Sequence, residues 1–282
     1  MSGRPADLFA AAHLICPICS GELLLTDRVL GCTTGHRFDL ARQGYVSLLS
    51  GRGTAHRSDT ADMVTARTRV FADGLYSPLQ DAVARACIDP APGIVVDAAG
   101  GTGAYLAAAL GGSERIGVSL DLSKACARAA ARVHPRAISV VADLWSAIPI
   151  ADGVAARVLS VFAPRNPAET ARVLAPGGAW VIVTPNPGHL AEIVEPMGML
   201  RVGEGKSDRL EADLRADFVV EQTSVVTARR ELSASRLADV AGMGPAGFHR
   251  TRDELAAAAR ALAGDGSVAA TLDVTLTVAR RR

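Results

Sequence analysis

Three cysteines and one histidine near the start of the chain have the spacing of a metal site. They follow the pattern C-x2-C-x12-C-x3-H and are Cys16, Cys19, Cys32 and His36. A tetrahedral zinc ion needs four ligands that converge on one point, and two tight turns each supply a pair of them. Because four protein ligands fill the coordination sphere, the spacing predicts one structural zinc ion that contributes to folding and holds no reactive water.

A glycine-rich turn further along the chain is the second candidate site. A β-branched run that ends at Asp97 leads into Gly101, Thr102 and Gly103, and a helical segment follows. At the carboxyl end of a strand, such a turn lets the backbone approach a ligand where a side chain would clash. We therefore expect a small-molecule cofactor at this turn.

Two acidic residues end the next two strand-like runs. Asp121 lies eighteen residues after Gly103, and Asp143 closes the run after that. An acid at the first position can accept hydrogen bonds from both ribose hydroxyls of an adenosine. The second position is where an adenine edge would lie, so both acids are predicted to bind the nucleoside part of a cofactor.

Two cofactor classes, a dinucleotide and S-adenosylmethionine, compete for this turn. A dinucleotide site requires G-x-G-x-x-G, but Leu106 stands where the last glycine would be. The order D-x-A-x-G-x-G that starts at Asp97 resembles motif I of the class I methyltransferases. The turn Leu174-Ala175-Pro176-Gly177-Gly178 resembles their L-x-P-G-G turn. These features favour S-adenosylmethionine.

The positions of the strand-like and helical segments predict the fold class. Short β-branched runs alternate with Ala-rich helical stretches after about residue 90, which indicates parallel strands joined by crossovers. Two later runs, 218–227 and 269–279, alternate in polarity as antiparallel strands do. We expect an α/β, Rossmann-like sheet of seven mostly parallel strands. The predicted domains are a zinc-binding module (1–50), a helical linker (51–90) and an S-adenosylmethionine-dependent methyltransferase domain (91–282).

Composition and charge exclude several classes of protein. The chain has 282 residues, of which 49% are hydrophobic and 21% charged, a composition that predicts a folded protein and not a disordered one. The sequence contains no apolar run long enough to span a membrane. A net charge of +1 excludes a protein that coats nucleic acid by electrostatics alone. Residues 36–57, however, contain only one acidic residue and four arginines, which are Arg37, Arg42, Arg52 and Arg57. Charge alone favours a solvated surface there, and a role in guiding RNA is the alternative.

The combination of these motifs resembles the RlmA family of 23S ribosomal RNA guanine-N1 methyltransferases, nearly end to end. The matching segments are His36-Arg37-Phe38-Asp39, 44–49 (GYVSLL), 58–63 (SDTADM), Ala66-Arg67, 74–79 (GLYSPL), 120–124 (LDLSK), Phe162-Ala163-Pro164 and 184–190 (TPNPGHL). Family members usually have glycine at the positions of Ala99 and Ser58. Within the family the chain is most similar to the branch that includes the tylosin-resistance methyltransferase.

The resemblance implies an activity and a set of contacts. It implies S-adenosylmethionine-dependent methylation of a guanine in the domain II hairpin of 23S rRNA, near the peptide exit tunnel, with resistance to tylosin-type macrolides. Carried over by position, the cofactor contacts fall on Tyr76, Gly101, Thr102 and His189. The implied partners are the rRNA hairpin, which the zinc-binding module (1–50) would recognise, and a second copy of the chain. The expected location is the cytoplasm, with no membrane contact. No catalytic base is assigned.

Two further questions, the role of Phe162 and the function of the chain, stay open at the level of the sequence. Phe162, which follows the fourth strand-like run, is either an aromatic platform for the target base or a packing residue. Trp145 and Trp180 are expected in the core. The alternative functions are a small-molecule methyltransferase of antibiotic biosynthesis and a non-catalytic RNA-binding protein with a vestigial cofactor fold.

Overall fold

An eight-stranded sheet is the centre of the structure, a computed structural model that describes residues 5–49, 56–88, 91–201 and 206–282. Its strand order is β10-β11-β9-β8-β5-β6-β7-β4. The strands are β4 (Tyr45–Ser47), β5 (Ile94–Ala98), β6 (Gly117–Asp121), β7 (Ala137–Val141), β8 (Ala155–Val161), β9 (Leu174–Pro185), β10 (Phe218–Ser233) and β11 (Ser267–Arg281). Six of them are parallel, and β11 pairs antiparallel with both β9 and β10. The predicted fold class is confirmed.

The predicted count of seven strands is wrong because the N-terminal segment supplies one more. Strand β4 pairs in parallel with β7, with Val46 opposite Val140, and it closes one edge of the sheet. Three residues are too short to show an alternating pattern, so the sequence gives no signal for this strand. A separate small antiparallel sheet precedes it and consists of β1 (Leu24–Thr26), β2 (Val29–Gly31) and β3 (Arg37–Asp39).

Helices cover both faces of the large sheet, and local signals start several of them. Ser123 caps α5 by accepting bonds from the amides of Ala125 and Cys126, and Thr251 begins α10 with a capping box. The helices are α1 (Pro5–Ala10), α2 (Ala61–Ala72), α3 (Ser77–Ala86), α4 (Ala104–Leu110), α5 (Lys124–Ala130), α6 (Pro167–Val173), α7 (Ala191–Val194), α8 (Lys206–Leu214), α9 (Ala234–Gly242) and α10 (Arg252–Ala263). In the described part of the chain, no helix is long and apolar enough to span a membrane.

Two hydrophobic clusters form the core, one on each face of the sheet. The first contains Leu79 and Val83 of α3 together with Leu237 of α9, so the helices of the predicted linker are part of the core. The second joins Leu14 and Leu30 of the N-terminal segment to the strands of the sheet. The N-terminal segment therefore shares its core with the sheet, while the domain boundaries near residues 50 and 90 stay predictions.

Candidate cofactor cleft and metal centre

The four predicted metal ligands converge beside the small sheet. Their ligand atoms all lie within 4.8 Å of one another, and the nearest pairs are 3.4 to 3.6 Å apart. Zinc–sulfur bonds of about 2.3 Å give a tetrahedral edge of about 3.8 Å, so the spacing suits one tetrahedral ion. The four ligands are Cys16, Cys19, Cys32 and His36.

The electrostatics of this cluster favour thiolates. The hydroxyl of Thr34 lies 3.0 Å from the Sγ atoms of both Cys19 and Cys32 and can donate to either. This contact lowers the pKa of Cys32 to about 6 and also lowers the pKa of Cys19. Cys16 is buried, and desolvation raises its pKa. A cation at the centre would stabilise all three thiolates, so the donor set fits a zinc ion.

The carboxyl ends of the central parallel strands open into a cleft of about 630 Å³. Parallel strands end at the same edge of a sheet, and ligands of open α/β sheets bind there. Seven of the eight predicted cofactor-binding residues line this cleft, and they are Tyr76, Asp97, Gly101, Thr102, Asp121, Asp143 and His189. The eighth residue, Gly103, does not line the cleft.

Gly103 lets two helices approach each other. Its φ is +78°, and a Cβ atom there would lie 2.9 Å from Val133 and 3.2 Å from Ala130. Gly101 in the cleft also has a positive φ, +57°, and a Cβ atom would lie 3.0 Å from Nη1 of Arg67. The positive φ favours glycine at both positions, and at Gly103 the close contacts with Val133 and Ala130 also leave little space for a side chain.

Asp121 holds the glycine-rich turn in place. One carboxylate oxygen accepts a bond from the amide of Gly101 at 2.9 Å, and the other accepts from the amide of Ser123 at 2.8 Å. The carboxylate lines the cleft and retains unused acceptor positions, since a carboxylate has about four. Burial raises its pKa, while the two amides act in the opposite direction.

Asp97 is a buried carboxyl group with an unsatisfied oxygen. Its relative exposure is 1%, and Oδ2 has no hydrogen-bond partner among the described residues. Burial, reinforced by the nearby charge of Asp121, raises the pKa of Asp97 to about 7. A buried polar atom without a partner at the wall of a cleft is a ready acceptor for a cationic or hydroxyl group of a ligand.

Asp143 has a local structural contact. Its Oδ1 accepts a bond from the backbone amide of Trp145 at 3.0 Å, which fixes the turn after β7. The carboxylate is half-buried at the cleft, between Ala142 and Leu144 in the chain, both of which also line it. An adenine ring bound against these apolar residues would have an acceptor at its edge.

Three aromatic rings form the opposite wall of the cleft. His189 stacks on Phe162 with ring centroids 5.4 Å apart and an interplanar angle of 30°. Tyr76 meets Phe162 edge-on at 6.1 Å and His189 at 6.3 Å. Tyr76 is buried, and burial raises the pKa of its hydroxyl. Phe162 is 42% exposed, so the structure places it at the surface of the cleft and not in the core.

Backbone geometry around these rings adds two constraints. Phe162 has a φ of +55°, which costs a bulky residue free energy and occurs mainly at functional sites. The amide of Asp273 donates to Nδ1 of His189 at 3.3 Å, so a neutral His189 carries its proton on Nε2. In that tautomer, Nε2 of His189 is a hydrogen-bond donor.

Arg67 is a residue of the cleft to which sequence reasoning gave no role. Its guanidinium pairs with Asp59 at 2.5 Å and donates to the carbonyl oxygen of Met243 at 2.7 Å, next to Gly101. It thereby joins three distant segments around the glycine-rich turn. The sequence contains the pair Ala66-Arg67 within a matching segment, but contacts across 176 residues leave no local pattern.

The expectation for Trp145 is wrong, while that for Trp180 agrees with the structure. Trp180 is fully buried and donates to Ser160 at 3.0 Å. Trp145 is 57% exposed at the cleft and stacks on His56, with ring centroids 5.3 Å apart. The turn after β7 leaves the sheet too early for its side chain to reach the core.

The predicted basic surface is only partly described. Arg37 and Arg42 are exposed, and Arg57 lies over the ring of Phe248 at 4.4 Å at the cleft. Arg52 lies outside the described residues. The exposed guanidinium groups on the N-terminal segment are available for contacts with an anionic polymer.

Comparison with known proteins gives matches along nearly the whole chain. The family model of the RlmA N-terminal zinc ribbon matches residues 14–51. A 23S rRNA (guanine(748)-N(1))-methyltransferase of Streptomyces fradiae is 47% identical over 274 residues, which cover 95% of this chain and 96% of that protein. A protein of Micromonospora griseorubida, named as a 23S rRNA (guanine-N(1)-)-methyltransferase, is 41% identical over 89% of this chain and 92% of its own length.

Proposed function

This chain belongs to the 23S rRNA (guanine-N1)-methyltransferase family, and on that premise we propose that it transfers a methyl group from S-adenosylmethionine to N1 of a guanine in 23S rRNA. The observation that carries the proposal is the combination of one cofactor cleft and one four-ligand metal centre in a single chain. A small-molecule methyltransferase would have no use for the metal centre. A vestigial cofactor fold would have no reason to keep Asp97 buried beside the cleft.

The cleft residues divide the cofactor between them. Asp121 would accept hydrogen bonds from the ribose hydroxyls, and Asp143 would lie at the adenine edge. Asp97 would bind the ammonium group of the methionine part, which would supply the partner that its Oδ2 lacks among the described residues. The glycine-rich turn gives the backbone room at Gly101, and Tyr76 closes the cleft from the side of α3.

The bound cofactor supplies an electrophilic methyl group on a sulfonium sulfur. In the reaction, a bond forms from guanine N1 to the methyl carbon, the bond from that carbon to sulfur breaks, and the N1 proton leaves to solvent. Phe162 offers a ring face on which the base can stack. His189 donates from Nε2 toward an oxygen, such as guanine O6, on which negative charge grows as N1 loses its proton. Positioning of the two reactants supplies much of the rate.

The target proposed is the guanine equivalent to the one in the name of the Streptomyces fradiae protein, guanine 748. The N-terminal module, with its zinc ion, would contact the hairpin that carries this base through Arg37 and Arg42. Methylation there would confer resistance to tylosin-type macrolides. Reduced zinc-binding thiols and an rRNA substrate both fit a cytoplasmic protein.

We also infer a homodimer from the free edge of the sheet. Strand β10 is sixteen residues long and pairs on only one side among the described strands. Val219, Val220 and Val225 are exposed on it. A long edge strand with exposed valines among polar residues is a surface for pairing with another chain, and a second copy supplies a matching strand.

Methyl transfer to three acceptors tests the proposed activity. The purified protein is incubated with labelled S-adenosylmethionine and an unmodified 23S rRNA fragment, a 16S rRNA fragment or a macrolide precursor. We expect label in the 23S fragment alone, and 1-methylguanosine in its nucleoside digest. Label in the macrolide precursor would support the small-molecule alternative, and no transfer to any acceptor would contradict the proposal.

A further inference from the structure

An exposed indole at the cleft has no role in the reaction described so far. Trp145 follows β7, lines the cleft and is 57% exposed. Its backbone is fixed, because the amide donates to Asp143 at 3.0 Å. A large aromatic side chain gains free energy from burial, so a ligand that covers an exposed indole in the lining of a cleft gains affinity from that contact.

One face of this indole is already supported. The ring of His56 stacks on it with an interplanar angle of 25° and a centroid distance of 5.3 Å. More than half of Trp145 is still exposed, so this stacking leaves indole surface that a second planar group can contact. A ring held in place by a neighbour loses little side-chain entropy when a planar group stacks on it.

A cation lies next to this pair in the chain. Arg57 follows His56, is exposed, and its guanidinium lies 4.4 Å from the centre of the Phe248 ring, also at the cleft. Aromatic side chains beside basic residues are the usual means by which proteins bind unpaired nucleotides, with bases on the rings and phosphates on the cations.

The indole belongs to a different side of the cleft from the proposed platform for the target base. Phe162 follows β8 and Trp145 follows β7, and β5 and β6 lie between these strands. Three strand spacings separate the two strands by about 14 Å. Trp145 therefore lies where a second nucleotide could bind, on the side of the sheet that ends in β4.

We propose that Trp145, supported by His56, is a stacking site for an unpaired base that neighbours the target guanine in the RNA substrate. The inference rests on the proposed function, because it assigns a second nucleotide subsite to the same cleft. A contact of the indole with the adenine of the cofactor is the competing role, and the measurements below separate the two.

The test measures RNA and cofactor affinities of the same variants. For Trp145→Ala we expect about tenfold weaker binding of the rRNA hairpin, measured by fluorescence anisotropy, and an unchanged dissociation constant for S-adenosylmethionine by calorimetry. Trp145→Phe keeps a ring and should recover most of the RNA affinity. Ile88→Ala, a truncation of a 79% exposed residue outside the cleft, is the matched control and should match the wild type in both.

Hairpins with single abasic nucleotides identify the stacked base. At one position beside the target guanine, loss of the base should weaken binding to the wild type but not to Trp145→Ala, since both changes remove the same contact. Unchanged RNA affinity of Trp145→Ala, or an equal loss of cofactor affinity, would overturn the inference while wild-type methylation stands. If the wild type neither binds nor methylates the hairpin, the proposed function fails with it.

Discussion

Ala99 has a backbone conformation that suits glycine. It follows β5 directly, its φ is +59°, and it lies at the wall of the cleft. A Cβ atom in the left-handed region costs about 1 to 2 kcal/mol. This cost is a physical reason to expect that glycine would suit this position better than alanine.

Replacement of Ala99 by glycine should stabilise the protein. We expect Ala99→Gly to raise the free energy of unfolding by about 1 kcal/mol, because the strain at φ +59° exceeds the entropy that glycine adds to the unfolded chain. Denaturant unfolding measures the change. Ala107→Gly in the middle of α4 is the control, and it should lower stability by about 1 kcal/mol. Equal effects of the two variants would refute the strain at Ala99.

The raised pKa of Asp97 predicts a pH dependence of cofactor binding. With a pKa of about 7, the carboxyl is protonated in the folded protein at pH 5.5, whereas an unfolded chain has already lost the proton. This group therefore lowers stability as pH rises from about 4 to about 7. A cationic ligand prefers the carboxylate, so affinity for S-adenosylmethionine should rise by up to about tenfold per pH unit between pH 5.5 and 7.

Calorimetry at several pH values checks this prediction. Asp97→Asn has no proton to lose, so its affinity should be weaker than that of the wild type at pH 7 and nearly constant below it. A wild-type affinity that stays constant from pH 5.5 to 7 would remove Asp97 from the cofactor site.

At the scale of single residues, the sequence predicted side chains that follow strands better than those that depend on distant contacts. Asp97, Asp121 and Asp143 lie at strand ends, so the alternation of strands and helices was enough to bring them to one cleft. The role of Arg67 depends on Asp59 and Met243, and the exposure of Trp145 depends on the length of a turn. Neither property has a local sequence pattern.

Among the elements, β4 connects the metal module to the sheet. It pairs with β7 through Val46, and the side chains of Leu14, Leu23 and Leu30 are buried in the same cluster as Val140. His36, the last of the four metal ligands in the chain, lies only nine residues before β4. The conformation of the metal site and the edge of the sheet are thus parts of one packed unit.

Loss of zinc should therefore lower the stability of the whole protein. We expect about one zinc ion per chain in the wild type, and a large loss of metal in Cys16→Ala. Thermal unfolding of that variant should shift to lower temperature as one transition, because module and sheet share a core. Cys87→Ala, at a buried cysteine outside the site, should keep its zinc. Full zinc content in Cys16→Ala would contradict the assignment of the ligands.

Two properties separate the elements that the sequence predicted from those that it did not. These are the length of the element and the sequence separation between the element and its pairing partner. The five central strands carry β-branched runs and form parallel neighbours, so their pattern is readable from the chain alone. Strand β4 has three residues and pairs with a strand about ninety positions away. Helices α2 and α9 both line the cleft, and the ion pair of Arg69 with Asp239 between them is another long-range contact.

For the molecule as a whole, the net charge is close to zero, but the charged residues are unevenly distributed. The net charge is +1, yet the N-terminal module exposes Arg37 and Arg42 with a single acid, Asp39, between them. Contacts of arginine with phosphates release counterions, so they strengthen binding at low salt and carry no sequence information.

Removal of these arginines should flatten the salt dependence of RNA binding. For the double variant Arg37→Ala, Arg42→Ala we expect weaker hairpin binding and a slope of log K against log salt that is smaller by about 1 to 1.5, at about 0.7 per contact. Arg252→Ala, Arg260→Ala, which removes two exposed arginines of α10 outside the cleft, is the control and should keep the wild-type slope. A double variant with the wild-type slope would show that the module surface is only solvated.

Primer extension on methylated RNA shows which guanine is methylated and whether its N1 carries the methyl group. A hairpin with the guanine equivalent to position 748 is incubated with the protein and S-adenosylmethionine, and reverse transcription is then run across it. Methylation at N1 blocks Watson–Crick pairing, so the account predicts a strong stop immediately before that guanine and none in a hairpin that has adenine there. Full-length product from the guanine hairpin, although the protein binds both cofactor and RNA, would contradict the account.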